Sequence, residues 1–261
     1  MRLIFIRHGE PDYSTDLLTE KGRLDAELLS ERVAKWDIKD IYVSPQGRAK
    51  ATAEPSLKKL NREAIELPWI HEFSYDIINP IRGKQGVPWD FPPFQLYGDP
   101  NFQTQDDWVH ANMLNENPKI AENYPKVVSH FDELLEKYGY KRNGQYYIRM
   151  DGRERFMKST VIDDKIAMAD TLPEDDSEPT LVFFCHLGVI CLILSHLLNI
   201  PFMSLVHGFF LPTTSVTIVN TEERWGNEVS FRVQAMGDSS HLLMKGERIS
   251  SAGSFARAFS K

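Results

Sequence analysis

Five short runs of apolar residues, rich in β-branched and aromatic side chains, recur along the chain. They lie at residues 2–6, 40–43, 180–185, 215–220 and 229–235. Runs of this length and composition are typical of buried β-strands. The run at 180–185 is apolar almost throughout, as expected in the middle of a parallel sheet. The pattern therefore predicts strands at these five places.

Stretches with apolar residues on one face alternate with these runs and predict helices. The predicted helices span residues 20–35, 46–60, 119–138 and a stretch that follows Gly188 and ends at Leu198. Thr19 and Ser44 precede the first two, and their hydroxyl groups are candidate N-caps. Strands that alternate with helices predict an α/β fold with a mainly parallel central sheet flanked by helices.

The chain changes character between residues 69 and 163, where prolines stand among aromatic side chains such as Trp89 and Trp108. A segment this aromatic is not typical of a disordered linker. We therefore predict a single domain over residues 1–261 with an inserted cap region at about 75–175, including a strand at 145–149. An acidic surface loop is expected at residues 170–179, and the segment after Gly246 is expected to be loose at its end.

Composition and charge narrow the classes of function. The chain has 261 residues, of which 42% are hydrophobic and 26% charged, as in an ordinary globular protein. Its net charge of −7 argues against a nucleic-acid partner, because proteins that bind nucleic acids carry a basic surface. No apolar run reaches the roughly 20 residues that a membrane span needs, so no membrane partner is expected.

The cysteines and the N-terminal residues indicate a cytoplasmic protein. Cys185 and Cys191 lie in an apolar segment without the spacing of a zinc site, which predicts buried free thiols. Reduced cysteines are typical of the cytoplasm. The apolar stretch that ends at Ile6 is too short for a signal peptide and runs directly into charged residues.

Residues with distinctive chemistry follow three of the predicted strands directly. Arg7 and His8 follow the first, Arg48 lies shortly after the second, and His186 follows the run at 180–185. In open parallel sheets, ligands bind beyond the carboxyl ends of the strands, so these residues are expected to meet at one edge. A neutral imidazole can attack phosphorus, and the planar guanidinium group matches two phosphate oxygens. The set therefore indicates phosphoryl transfer.

The same positions carry a resemblance to a known family. Arg7-His8-Gly9-Glu10 after an N-terminal strand resembles the signature of the histidine phosphatase superfamily, which includes the cofactor-dependent phosphoglycerate mutases. Further segments are similar to that family in the same order, at residues 18–23, 44–53, 184–188 and 237–242. The resemblance implies a phosphoglycerate mutase-like fold and leaves residues of about 75–175 uncovered.

The resemblance also implies a role for each residue. His8 would be the nucleophile, and Arg7, Arg48 and His186 would bind the phosphate. An attacking imidazole must be neutral, so the other nitrogen of His8 is expected to be held by a backbone carbonyl. A bound dianion would raise the pKa of His186, so the two histidines are expected to titrate oppositely. Gly9 would let the backbone approach the substrate closely. Neither a metal nor an organic cofactor is implied.

The general acid is expected to be a carboxylate, and Glu72 falls where the family places one. It would protonate the leaving oxygen and later activate water. Residues 74–76 do not follow the glycine- and tryptophan-containing pattern that is usual after this position. Asp76 therefore stands as an alternative acid, and an ordinary surface role for Glu72 stays open.

These features predict a phosphoric monoester hydrolase that acts on a small phosphorylated metabolite through a phosphohistidine on His8. Residues 11–14 resemble the phosphatase branch rather than the mutases, which typically carry a serine with a Trp-Asn pair there. A mutase-type phosphotransferase and a non-catalytic protein that binds a phosphorylated ligand remain alternatives. Candidate contacts to a second anionic group of the substrate are Arg82, Lys84, Arg153, Arg155 and Lys158. Most aromatic side chains of the cap region are expected to form its own core.

Overall fold

The computed structural model describes residues 1–152, 155–156, 159–162, 165–168 and 178–259. Two of the candidate contacts to a second anionic group, Arg153 and Lys158, lie outside the described residues, and so does the side chain of Arg155. Most of the loop predicted at residues 170–179 lies outside them as well.

One large mixed sheet forms the centre of the described structure. The strands of the described structure, including those outside this sheet, are β1 (Arg2–Arg7), β2 (Pro11–Asp12), β3 (Leu17–Leu18), β4 (Asp40–Val43), β5 (Ile65–Glu66), β6 (Ile77–Ile78), β7 (Gln85–Gly86), β8 (Tyr140–Asn143), β9 (Tyr146–Arg149), β10 (Arg155–Phe156), β11 (Ser159–Ile162), β12 (Lys165–Met168), β13 (Thr180–Cys185), β14 (Val216–Gly226) and β15 (Glu228–Asp238). All five predicted strands are confirmed, and the last two are longer than their apolar runs indicated.

The central sheet has a parallel half and an antiparallel half. Its order is β5-β4-β13-β1-β14-β15-β9-β8, and β10 also pairs with β14. The strands β5, β4, β13 and β1 run parallel, whereas the others join antiparallel. The predicted parallel sheet is thus confirmed for its core. The hairpin of β14 and β15 extends it antiparallel, because a tight turn joins only antiparallel strands.

Helices flank this sheet and alternate with its strands, as the pattern predicts. They are α1 (Glu20–Val33), α2 (Gly47–Leu60), α3 (Pro93–Leu96), α4 (Lys119–Lys137), α5 (Leu187–Leu198), α6 (Phe202–Gly208) and α7 (Ser240–Leu243). The predicted cap of α1 is confirmed, since the Thr19 hydroxyl accepts a hydrogen bond from the Gly22 N–H. The predicted cap of α2 is wrong. The N-cap position is occupied by Gln46, two residues after Ser44, and the Gln46 side chain makes no capping hydrogen bond.

Both faces of the parallel half are buried, which explains its continuous apolar strands. Leu3 and Phe5 of β1 pack in a cluster with residues of α4 and α5. Ile4 and Ile6 point to the opposite face and pack with residues of α1 and α2. Phe5 stacks on Phe183 of β13, with 5.1 Å between the ring centroids. These contacts hold the ends of β1, β13 and β4 level with one another.

Residues 68–116 form short turns of helix rather than regular layers. Besides α3 and the ribbon of β6 and β7, they contain 3₁₀ helices at Pro68–Ile70, Pro88–Asp90, Pro100–Gln103, Asp107–His110 and Asn112–Glu116. Prolines begin three of these helices, where the missing N–H needs no partner. Phe102 and Trp108 are fully buried, and Trp108 stacks on Phe202 of α6 at 4.5 Å. The larger aromatic rings of this part therefore pack mainly into a core.

The later part of the predicted cap region joins the central sheet. The helix α4 packs on it through Phe131, whose ring centroid is 6.3 Å from that of Phe5. The strands β8 and β9 extend its antiparallel edge. The region predicted as a cap and the residues just before it therefore contain two kinds of structure. Residues 68–116 form a set of turns, and the later elements complete the sheet.

Two further expectations concern the surroundings of the protein. Both cysteines, Cys185 and Cys191, are free and buried, as predicted. Within the described ranges, no helix combines the length and the apolar character that crossing a bilayer requires.

The substitution Phe183→Ala is expected to lower the free energy of unfolding by about 3–5 kcal/mol, because it leaves a cavity between the rings of Phe5 and Tyr42. Urea denaturation followed by circular dichroism measures the change. The matched control is Phe259→Ala, whose ring is exposed and whose loss should change stability by less than about 0.5 kcal/mol. Equal stability of the two variants would contradict the packing described here.

Candidate active site

The level strand ends bring the predicted residues to one edge of the sheet. The His8 N–H donates to the Cys185 carbonyl at 2.9 Å, and the Ser44 N–H donates to the Phe184 carbonyl at 2.9 Å. His186 follows β13 directly. His8, Ser44 and His186 thus succeed three neighbouring parallel strands, and their side chains share one buried space. This is the arrangement that the pattern of strand ends predicts.

His8 presents one defined nitrogen for chemistry. Its Nδ1 lies 2.7 Å from the carbonyl oxygen of Gly9, which can only accept, so Nδ1 carries the proton and Nε2 has the free electron pair. The expected backbone carbonyl is therefore that of Gly9. Burial lowers the pKa of His8 to about 3, and the positive charge of Arg7 acts in the same direction. The ring is neutral at physiological pH.

His186 lies beside His8, with 5.1 Å between the ring centroids. Its Nε2 is 2.7 Å from the hydroxyl of Ser44, and its buried Nδ1 has no hydrogen-bond partner among the described residues. Burial lowers the pKa of His186 well below its ordinary value, and His8 and Arg48 add to the shift. Both histidines are thus neutral in this structure. Opposite titration of the two rings would require the negative charge of a bound phosphate.

Two arginines flank the histidines. Arg7 is buried and donates from Nη1 to the Leu211 carbonyl at 2.6 Å and from Nη2 to the Ala252 carbonyl at 3.2 Å. Arg48 pairs with Asp16, with 2.5 Å between Nη1 and Oδ1. In the described part of the chain, the buried Nε of each arginine has no partner. Buried donors without partners cost free energy, so an anion that accepts from them would stabilise the site.

Glu72 approaches this group from the turns that follow α2. Its backbone N–H donates to the Gln46 side chain at 2.7 Å, and its Oε1 accepts from the Gly188 N–H at 2.9 Å. One side-chain nitrogen or oxygen each of His8, Glu72 and His186 lies within 4.8 Å of the others. Burial raises the pKa of the Glu72 carboxyl group, against the opposing charges of the nearby arginines. A carboxyl group with a raised pKa is suited to donate a proton near neutral pH.

Asp76 does not join this cluster. Its side chain is exposed, and its backbone carbonyl accepts from Asn117 at 2.9 Å. It is not among the residues that line the cavity beside Glu72. The location of the two carboxylates therefore favours Glu72 as the acid.

His8, Glu72 and His186 also have the donor types and spacing that could hold a metal ion. The positive charges of Arg7 and Arg48 act on the same groups. Two adjacent guanidinium groups repel a cation and attract an anion. The electrostatics of the site therefore favour an anionic ligand over a metal.

Two glycines, Gly9 and Gly188, allow close packing around the site. The reason for a glycine at Gly9 differs from the expected one. A Cβ atom on Gly9 would lie 2.9 Å from the carbonyl oxygen of Gly22 and 3.2 Å from Leu18. The missing side chain thus permits close packing against the start of α1, not an approach of substrate. Gly188 lies against the Glu72 carboxyl group, since a Cβ atom on this glycine would be 2.6 Å from Oε1.

A cavity of about 1290 Å³ opens above these residues. Arg7, Arg48 and Glu72 line it, and we call them its base. His8 and His186 are not among the lining residues and are 1% and 0% exposed. Most of the remaining lining residues are apolar, and the largest groups of them come from residues 73–93 and 206–210. Of the candidate contacts to a second anion, Arg82 lines the cavity and Lys84 does not.

The C-terminal segment also borders the cavity, which sequence patterns did not predict. Residues 253–256 line it, and the Ser250 hydroxyl donates to Glu10 at 2.5 Å. Gly253 lies so close to Arg7 that a Cβ atom there would be 2.6 Å from Nη2. No local motif could have revealed this contact, nor the pairing of Asp16 with Arg48. Gly188, by contrast, stands next to His186 within a segment that the sequence had already singled out.

The substitution Gly188→Ala is expected to lower hydrolysis of an aryl phosphate about 100-fold, because the new methyl group would displace the Glu72 carboxyl group by about 1 Å. Steady-state kinetics measure the loss, and circular dichroism checks the fold. Gly208→Ala is the matched control, since a Cβ atom there meets nothing within 4 Å. If Gly188→Ala were as active as this control, the placement of Glu72 by Gly188 would be wrong.

Comparison with known proteins adds independent information. The model of the histidine phosphatase superfamily (branch 1) matches residues 3–84, which include Arg7, His8, Arg48 and Glu72. A comparison of the sequence with curated proteins finds no match.

Solved structures share the fold over most of the chain. A phosphoserine phosphatase from Entamoeba histolytica, in complex with 3-phosphoglyceric acid, is 18% identical with a TM-score of 0.55, and the match covers 92% of this chain and 98% of that one. A mycobacterial glucosyl-3-phosphoglycerate phosphatase with inorganic phosphate is 16% identical with a TM-score of 0.55, over 92% and 98% of the two chains. A structure described as mycobacterial hydrolase 1 is 15% identical with a TM-score of 0.56, over 91% and 98%.

At these identities the structural likeness establishes the fold alone. The match to the family model covers the segment in which β1, α2 and the turn before Glu72 build the site. The resemblance noted in the sequence is thereby confirmed for residues 3–84, which are similar to the histidine phosphatase superfamily (branch 1).

Proposed function

We propose that this protein is a phosphoric monoester hydrolase that moves a phosphoryl group onto Nε2 of His8 and then onto water. The observation that carries the proposal is the fixed tautomer of His8, whose Nδ1 is bound to the Gly9 carbonyl. A neutral imidazole with its free electron pair beside two guanidinium groups is suited to attack a phosphate ester.

In the first step, Nε2 of His8 attacks phosphorus, and the bond from phosphorus to the leaving oxygen breaks. Glu72 in its protonated form gives its proton to that oxygen, so that an alcohol leaves rather than an alkoxide. The raised pKa of Glu72 supports this role, and so does its position within 4.8 Å of both imidazoles.

In the second step, the Glu72 carboxylate takes a proton from water, and the water oxygen attacks phosphorus. The P–N bond breaks, its electron pair returns to Nε2 of His8, and inorganic phosphate leaves. Glu72 is protonated again, so the site is ready for another cycle. The same carboxyl group thus serves as acid and then as base.

The arginines and His186 would stabilise the charge on the transferring phosphoryl group. The Nε atoms of Arg7 and Arg48 are buried donors without partners in the described structure, which supports binding of a phosphate oxygen by each. A dianion beside His186 would raise its pKa and allow Nδ1 to donate as well. Transition-state stabilisation by such preorganised donors is commonly the largest contribution to catalysis.

Several observations favour a phosphatase over the alternatives. Solved structures with this fold include phosphatases for phosphoserine and for glucosyl-3-phosphoglycerate, so a phosphorylated metabolite is a reasonable substrate class. Tyr13, in the segment that resembles the phosphatase branch, lies over Arg48, with 5.7 Å between Cζ and the ring centroid. We further propose that the protein acts in the cytoplasm, which its two free cysteines support. We also propose that the insertion at about 75–175 forms a cap over the site, which the cavity-lining residues between Arg82 and Pro93 support.

Quenching the protein with alkali during turnover of a phosphate ester is expected to trap phosphate on His8. The P–N bond resists base and is labile to acid, so only the alkaline quench preserves it. Mass spectrometry of peptides locates the label. His8→Ala should show neither label nor more than about 0.1% of the hydrolysis rate, whereas the exposed His110→Ala should keep both.

A label on His186 would overturn the assignment of the nucleophile. Slow decay of the label, with transfer to added phosphoglycerate, would indicate a mutase. Tight binding of phosphate esters without any label would indicate a non-catalytic protein.

Glu72→Gln is expected to slow hydrolysis of alkyl phosphates at least 100-fold and that of 4-nitrophenyl phosphate far less, because a good leaving group needs no proton. The amide oxygen can still accept from the Gly188 N–H, so the local structure is kept. The comparison of kcat for both substrates measures the effect. Asp76→Asn is the matched control and should change kcat for both substrates by the same factor. The reverse pattern would make Asp76 the general acid.

A further inference from the structure

The charges in the cavity are distributed in two zones. The base holds the cations Arg7 and Arg48, which the proposed function assigns to the phosphoryl group. Arg82 and Asp90, which we call the outer zone, also line the cavity and have exposed side chains of opposite charge. His207, another lining residue, binds the Trp89 carbonyl through Nε2 at 2.5 Å, so that nitrogen carries a proton and is already used. The outer zone therefore has no excess of positive charge among the described residues.

Much of the remaining cavity lining is apolar and aromatic. We define the aromatic wall as Val87, Trp89, Phe91, Val206, Phe209 and Phe210, all of which line the cavity. Phe209 is 47% exposed, so its ring has surface free for contact. An apolar cavity lining with a few charged groups at one end is the usual form of a site for a ligand with an apolar body.

Packing holds the aromatic wall in place. The ring of Trp89 meets Phe202 edge to face at 5.3 Å and stacks on Phe73 at 6.0 Å. Phe210 lies under the guanidinium group of Arg7, with 5.8 Å between Cζ and the ring centroid. The wall is thus a formed surface next to the phosphate zone, and a ligand does not have to order it on binding.

The size of the cavity points in the same direction. Its volume of about 1290 Å³ exceeds the range of about 300–1,000 Å³ that is usual for ligand pockets. A substrate as small as phosphoserine or 3-phosphoglycerate would leave the aromatic wall in contact with water. The carboxylate of either compound would face Asp90 as well as Arg82 in this cavity, and like charges repel.

We propose that the natural substrate is a phosphate monoester whose leaving alcohol is uncharged and carries a bulky apolar or aromatic body, seated on the aromatic wall. The proposal rests on the proposed phosphatase function and names the substrate class for that site. Burial of the apolar body would supply binding energy that a small dianionic metabolite lacks.

Four alkyl phosphates that all leave as primary alcohols test this selectivity without a difference in leaving-group quality. They are 2-phenylethyl phosphate, ethyl phosphate, phosphoserine and 3-phosphoglycerate. We expect kcat/KM for 2-phenylethyl phosphate to exceed that for each of the others at least tenfold. Phe209→Ala should reduce this advantage at least threefold. Phe94→Ala, which removes an exposed ring outside the cavity lining, should leave the ratio unchanged.

A charge-removing variant tests the outer zone separately. Asp90→Asn leaves Arg82 unopposed and is expected to raise kcat/KM for 3-phosphoglycerate at least threefold relative to ethyl phosphate. No change in that ratio would overturn the argument from charge. A preference of the wild-type protein for phosphoserine or 3-phosphoglycerate would overturn the proposal itself.

Binding to the His8→Ala variant separates this proposal from the proposed function. Calorimetry with the same four esters measures the cavity without turnover. Tighter binding of 2-phenylethyl phosphate by at least tenfold supports the aromatic wall as its site, even if the wild-type protein hydrolyses none of the four and the phosphatase assignment fails. Equal binding of all four esters would overturn the substrate class while leaving a phosphohistidine mechanism possible.

Discussion

Burial of positive charge beside two imidazole rings is the constraint on which the site depends. Arg7 and Arg48 lie next to His8 and His186 in a space with little access to water. Desolvation and these charges keep both rings neutral, as the proposed nucleophile requires. The same burial raises the pKa of Glu72, so that the carboxyl group can hold a proton. One physical cause therefore supports both proposed roles, that of the acid and that of the nucleophile.

The fold maintains this arrangement by burying the strands beneath it. Both faces of β1 and β13 are covered, so their backbones cannot shift without opening the core on either side. The ends of β1, β13 and β4 are in register, from Arg7 opposite Cys185 to Phe184 opposite Val43. Polar side chains are tolerated there because the sheet ends, and ligands in such folds bind at this edge.

Distant segments hold Glu72 and Arg7 through backbone groups. The Gly188 N–H holds the Glu72 carboxyl group, and carbonyl groups of Leu211 and Ala252 hold Arg7. Neutral acceptors orient a guanidinium group without cancelling its charge. Arg7 therefore keeps its full charge for an anionic ligand, whereas Arg48 shares its charge with Asp16. The cavity combines this charged base with an aromatic wall, and the proposed substrate class rests on that combination.

The sequence by itself determined the strands of the sheet core, the cap of α1 and the residues that meet at its edge, because burial on both faces leaves a local apolar pattern and because strand ends converge. The sequence also singled out Glu72 as a candidate, and the structure places it beside His8 and His186. Tertiary structure alone decided the antiparallel half, the hydroxyl of Ser44 on His186 instead of a helix cap, and the true neighbour of Gly9. It alone brought Ala252 and Gly253 onto Arg7 and placed the aromatic wall along the cavity. These features depend on contacts between residues far apart in the chain, and such contacts leave no periodic signal in the local sequence.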